Sequence, residues 1–194
     1  MDTKLVFALA ATAINTITFL PYIRDMVYGT TRPHTYTFLI WMITQGTAVV
    51  GLWYGGGGLG ALNLTVGLLF IFGVFLFSLF HGTKNITRSD TIVLVGALAA
   101  IGVWWQLHNP VLSVIMVTVI DVLGYIPTYR KTFESPRSET AISWAGAAIG
   151  NVLALGALSS YNFMTMSYLI VLSLANIIVA LICIIRRPLY SKPQ

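Results

Sequence analysis

Apolar runs of about 20 residues, each broken by a short polar or glycine-rich segment, follow one another along the whole chain. The hydrocarbon core of a bilayer is ~30 Å thick and a helix rises ~1.5 Å per residue, so each run has the length of one crossing. The breaks predict seven helices, over residues 4–22, 36–54, 61–81, 91–107, 110–127, 140–158 and 163–185. Ala8-Leu9-Ala10 in the first of them offers the small-residue pattern of a signal-peptide cleavage site, but this helix belongs to an internal repeat, which argues against cleavage.

The basic residues test the count, because a wrong helix number would scatter them over both faces. Arg24 and Arg32 fall between helices 1 and 2, and Lys84 and Arg88 between 3 and 4. Arg130, Lys131 and Arg137 fall between 5 and 6, and Arg186, Arg187 and Lys192 in the tail. Ten of the 11 basic residues thus share one face, and only Lys4 lies on the other. By the positive-inside rule the amino terminus is outside and the carboxyl terminus cytoplasmic. Trp53, Tyr54, Trp104, Trp105 and Tyr161 at the outer borders, and Tyr22, Tyr28, Tyr125 and Tyr129 at the inner ones, read as headgroup anchors.

Composition narrows the function classes. Of 194 residues 57% are hydrophobic and 9% charged, with a mean hydropathy of +0.82, against roughly 25% charged in a soluble domain. A pI near 9.5 is accounted for by the cytoplasmic loops, so no nucleic-acid partner is expected. Cys183 is the only cysteine, and His34, His81 and His108 are scattered over loops and helix ends, so neither metal nor cofactor is expected. Gly55-Gly56-Gly57-Gly58 lacks the Lys and Ser/Thr of a phosphate loop and reads as a flexible outer turn. Every Lys lies in a loop or at a helix end, which excludes a retinal Schiff base. With no nucleophile and base, carboxylate pair or metal set, the chain is not read as an enzyme.

A shift of 106 residues superposes Phe19-Leu20-Pro21-Tyr22-Ile23-Arg24 on Tyr125-Ile126-Pro127-Thr128-Tyr129-Arg130. It also pairs Asn15 with Asp121, Thr37 with Ser143 and Gln45 with Asn151. The expected fold class is therefore an all-α membrane protein with a 3+1+3 layout. A first three-helix repeat covers 1–88, a linker helix 89–108, and a second repeat with a short cytoplasmic tail 109–194. An odd linker helix gives both repeats one orientation, and in transporters built this way the solute site lies between the halves near the midplane.

A helix ending in Phe-Leu-Pro, a short basic loop, a Ser or Thr opening the next helix, and the repetition of that unit around a lone fourth helix resemble the PQ-loop family. That family includes the SWEET and SemiSWEET sugar transporters and cystinosin. Thr16-Ile17-Thr18-Phe19-Leu20-Pro21 is similar to the first helix of bacterial SemiSWEETs, and the resemblance covers nearly the whole chain. The Gln that usually follows the Pro is Tyr22 in one repeat and Thr128 in the other. Where sugar-transporting members carry a Trp late on the second helix, this chain has Val49-Val50-Gly51 and Leu155-Gly156-Ala157, with Trp53 a few residues beyond the first. The resemblance implies solute-binding Asn residues on the third helix of each repeat, at Asn63 and Asn176, and a sugar as solute.

Polar side chains inside a membrane helix turn toward the protein interior or a water-filled path. Asp121 is the one ionisable residue well inside a predicted span, where an ionised carboxylate costs several kcal/mol unless paired or hydrated. It is a candidate proton carrier or counter-charge for a cationic solute, with Asn15 as its repeat partner. Asn63 and Asn176 offer amide donors and acceptors to a solute, or serve as glue between helices. Gln45 and Asn151 are candidates for lining the pathway. Pro21 and Pro127, with Gly124, are candidate hinges or simple helix stops. Gly146, Gly150 and Ala154 form a smooth strip for close helix packing.

The expected function is alternating-access transport of a small polar solute. The alternatives are proton-coupled transport of an amino acid or other nitrogenous solute, and a receptor of the same fold. Partners are the solute, membrane lipid and, in the coupled case, protons. The expected location is a plasma or bacterial inner membrane, with an organellar membrane as the alternative. A homo-oligomer stays open, because some relatives assemble further.

Overall fold

In this computed structural model, the described residues are 2–29, 31, 33–82, 88–137 and 139–189, so the basic positions Arg32, Lys84 and Lys192 lie outside them. Seven α-helices account for nearly all of it: α1 Thr3–Val27, α2 Thr35–Tyr54, α3 Leu62–His81, α4 Arg88–Leu107, α5 Pro110–Glu134, α6 Ala141–Gly156 and α7 Phe163–Arg186. Short 3-10 turns at Gly58–Ala61 and Arg187–Leu189 precede α3 and follow α7.

Helix starts fall within three residues of those expected from the apolar pattern. The ends of α1 and α5 do not, for the helices run to Val27 and Glu134 rather than stopping near positions 22 and 127. A proline removes one N–H and one backbone hydrogen bond, and the polar residues beyond it keep helical geometry. Pro21 is thus inside α1, and position 127, whose side chain lies outside those described, is inside α5. Side chains build several helix starts, among them that of α5, where Asn109 Oδ1 accepts from the Leu112 N–H at 3.0 Å. Asp2 accepts from the Lys4 N–H ahead of α1, and Asn162 with Thr165 forms a reciprocal capping box ahead of α7.

Five helical segments, Thr3–Val27, Thr35–Tyr54, Gly58–His81, Pro110–Glu134 and Phe163–Arg186, are long and apolar enough to cross a membrane. The apolar stretch Thr91–Val103 of α4, and α6, are shorter. The exterior fits an integral multi-pass protein, since large apolar side chains such as Phe80, Ile92, Leu98 and Ile184 face outward in numbers that water would not support.

Packing pairs α1 with α6 and α3, α7 with α6 and α5, and α2 with α3 and α5, while α4 rests on α5 and α2. The contact between α1 and α6 is the most extensive, and α6 presents glycine there. A Cβ at Gly146 would collide with Thr18, and one at Gly150 would meet the Ala11 carbonyl at 3.1 Å. Ser143 Oγ adds a hydrogen bond to the Thr18 carbonyl at 2.7 Å. One apolar cluster joins α2, α5 and α7 through Ala48, Val117, Tyr168, Leu172 and Val179. A second, of Ala11, Leu52, Ala61, Ala154, Leu158 and Leu169, fills the end of the molecule near the Gly58–Ala61 turn.

Candidate functional site

A cavity of about 880 Å³ lies between α1, α2, α3, α5, α6 and α7. Its rim carries Pro33, His34, Arg130, Glu134 and Ser135, so it opens at the end of the molecule where α1 and α5 finish and α2 and α6 begin. The opposite end is shut by the second apolar cluster and by interlocked turns. There the Ser159 N–H donates to the Gly57 carbonyl at 3.0 Å, and Asn162 Nδ2 to the Gly55 carbonyl at 2.8 Å. Glycine is required in this turn: Gly56 and Gly58 have φ of +80° and +57°, and a Cβ at Gly57 would sit 2.8 Å from the Leu52 carbonyl.

The floor of the cavity is an amide relay. Asn15 Nδ2 donates to Asn63 Oδ1 at 3.1 Å, and Asn63 Nδ2 donates to Asn151 Oδ1 at 3.0 Å, tying α1, α3 and α6 together. Beside it Gln45 Nε2 donates to the Leu64 carbonyl at 3.0 Å. These four lining residues satisfy one another or the backbone, as buried amides must.

Asp121 and Asn176 lie on the α5–α7 side. Asp121 is buried and accepts from Thr44 Oγ1 at 2.6 Å. The buried Tyr168 hydroxyl stands beside the same pair, without a well-formed hydrogen bond among the described residues. Among the described residues no cationic side chain pairs with Asp121. Asn176 donates to the Leu172 carbonyl at 2.7 Å and accepts from the Tyr125 hydroxyl at 3.3 Å.

The structure thus brings Asn15, Gln45, Asn63, Asp121, Asn151 and Asn176 to one cavity, at unequal positions. Asn63 is in the first turn of α3 and Asn176 nearly four turns into α7, so they are not equivalent in the repeat; the shift of 106 sets Asn176 against Phe70. Gly124 fits a packing role as well as a hinge, since a Cβ there would approach the Trp41 indole nitrogen at 3.3 Å.

The pattern of apolar and polar positions missed the aromatic wall. Tyr125, expected as a headgroup anchor, is buried in the α2–α5–α7 core, and Tyr22 lines the cavity. Trp41, Tyr125 and Trp144 form a triangle of rings, with centroids 5.7 Å apart for Trp41–Tyr125, 5.9 Å for Tyr125–Trp144 and 6.4 Å for Trp41–Trp144. Trp144 Nε1 donates to Glu139 Oε2 at 3.1 Å, which fixes its ring. Phe19, Tyr22 and Phe38 extend the wall toward the mouth. Trp53, by contrast, sits outside the cavity lining and donates to Thr65 Oγ1 at 3.1 Å from an exposed position, and Tyr28, Tyr54, Trp105 and Tyr161 are exposed as anchors would be.

The signal for these rings was present as spacing. Each stands one or two helical turns from a polar lining residue on the same helix: Phe19 and Tyr22 from Asn15, Trp41 from Gln45, Tyr125 from Asp121, and Trp144 from Asn151. Offsets of four and seven keep side chains on one helix face. Compared with protein-family models, curated proteins and solved structures, the chain finds no match.

Proposed function

We propose that the chain is a membrane transporter that carries a small polar solute by alternating access, with a 3+1+3 arrangement of seven spans, the amino terminus outside and the carboxyl terminus in the cytoplasm. The observation that carries this reading is a polar-floored cavity of about 880 Å³, open at one end of the helix assembly and closed at the other. A cavity of that size holds a small solute with its first waters, and a one-sided opening is one of the two states that alternating access needs. Exchanging α1, α2 and α3 with α5, α6 and α7 maps the helix contacts onto one another: α1 with α6 onto α5 with α2, and α1 with α3 onto α5 with α7. That correspondence supports two parallel repeats. The open end is the one that carries most of the basic residues, so on the positive-inside rule this state faces the cytoplasm.

The resemblance to PQ-loop carriers favours a sugar. Asp121, buried and without a cationic partner among the described residues, favours instead a nitrogenous solute or coupling to protons. Counterflow in proteoliposomes against labelled sugars, amino acids and amines, with and without a proton gradient, is the test. Gradient-independent sugar exchange supports the facilitative reading and gradient-driven uptake the coupled one. Absence of exchange for every solute removes the transporter reading in favour of a receptor.

A further inference from the structure

The geometry points to an organic cation, an alkylammonium of choline size, as the solute of this cavity, held between the Asp121 carboxylate and the faces of Trp41, Tyr125 and Trp144. The inference rests on the cavity being the solute site.

Three independent features agree on the sign of the ligand. The first is the ring triangle. Trp41 and Tyr125 are inclined at 38° to each other, while Trp144 crosses them at 77° and 66°, so the three lining rings present faces in more than one direction. A cation on a ring face lies within the ~6 Å over which the ring quadrupole attracts it, and the three centroids are 5.7–6.4 Å apart, so a cation seated on one ring is close to the others.

The second is the carboxylate's place. Asp121 is one helical turn from Tyr125 on α5, and Thr44, which donates to it, is one turn from Trp41 on α2. Along the α5 axis the Asp121 position therefore lies about 6 Å deeper than that of Tyr125, by the rise of four helical residues. An ammonium seated against Tyr125 is thus one helical turn from the carboxylate's position on α5. Thr44 uses one lone pair of the carboxylate and leaves acceptor capacity over.

The third is the charge balance of the walls. The chain carries a formal +5, yet among the described residues the lining holds three carboxylates, Asp121, Glu134 and Glu139, against one guanidinium, Arg130, which is itself paired with Glu134 at 3.4 Å. Glu134 and Arg130 stand exposed at the mouth, and the buried charge of the described lining is Asp121, whose sign favours a cation over an anion.

The test is equilibrium binding of radiolabelled choline to the purified full-length chain in lipid nanodiscs. Competitors are tetramethylammonium and the neutral carbon isostere of choline, in which a tert-butyl group replaces the trimethylammonium. Saturable choline binding is expected, displaced by tetramethylammonium and at least about tenfold less well by the isostere. Asp121→Asn and Trp144→Leu are each expected to weaken choline binding by about tenfold or more. No saturable binding, or equal competition by the isostere, overturns the inference without any variant having to fold. Flux separates the two readings: sugar counterflow without choline binding removes the cation and keeps the carrier, whereas choline binding without choline flux keeps the cation site and removes transport.

Discussion

Thr44 and Asp121, 77 positions apart in the chain, meet at 2.6 Å in the interior, where the hydroxyl of α2 donates to the carboxylate of α5. This bond joins the two halves of the proposed repeat. Hydrogen bonds to a charged acceptor contribute about 1.5–3 kcal/mol. Thr44→Val keeps the shape and removes the donor, so a clear fall in thermal stability of the purified protein is expected, and Thr44→Ser is expected to restore most of it. An unchanged melting temperature in the Val variant would show that the bond is replaced by water.

Asp121 also decides between coupling modes. If it carries a transported proton, Asp121→Asn leaves flux measurable and independent of the imposed proton gradient. If it is the counter-charge of a cation, the same variant loses cation flux at every pH. The comparison is made in proteoliposomes over a range of external pH.

Two glycines, one in the contact between α1 and α6 and one on open α3 surface, give stability predictions of opposite sign. Gly146→Ala drives a methyl into Thr18, and overpacking of this kind costs roughly 1–3 kcal/mol. Gly73→Ala, in α3 with nothing within 4 Å of the new methyl, is expected to stabilise by about 0.5–1 kcal/mol through helix propensity. Thermal melts of the two variants beside the parent check both signs.

Asn63 is the centre of the amide relay, donor to Asn151 and acceptor from Asn15. Asn63→Leu strands both neighbours, and an unsatisfied buried amide costs about 1–3 kcal/mol. Asn176→Ala, at the aromatic end, is expected to weaken solute binding with a smaller loss of stability. Solute titrations and melts on both variants separate the two roles.

The one-sided opening is checked by thiol accessibility, helped by the burial of Cys183, the only cysteine. In a Cys183→Ser background, Ser143→Cys, which lines the cavity, is expected to react quickly with a membrane-impermeant reagent applied at the open end. Leu52→Cys, fully buried at the closed end, is expected to react slowly from either side.

Helix number and placement were legible because apolar runs of bilayer length are a strong, local signal. The ends of α1 and α5 were not, because Pro21 and Pro127 read as stops while the chain loses only single hydrogen bonds there and continues. The polar lining residues were legible for a thermodynamic reason, since a buried Asn, Gln or Asp stands out against hydrocarbon. The aromatic wall was not: Tyr125 near a helix border looks the same in sequence whether it meets headgroups or Asn176, and only the packing of α5 on α7 decides. Trp41 and Trp144 come together from different helices, and neither residue carries the other in its own pattern.

In the proposed carrier the Asp121 carboxylate, which has no cationic partner among the described residues, also bears on electrical behaviour. With an ionised Asp121 and a monovalent cation aboard, the buried site is neutral; without the cation it carries one negative charge. The membrane potential then acts on the return of the empty carrier rather than on the loaded step, with about 2.3 kcal/mol available per 100 mV for a charge that crosses the whole field. Turnover would be electrogenic, and the voltage across the membrane would set the direction in which solute accumulates.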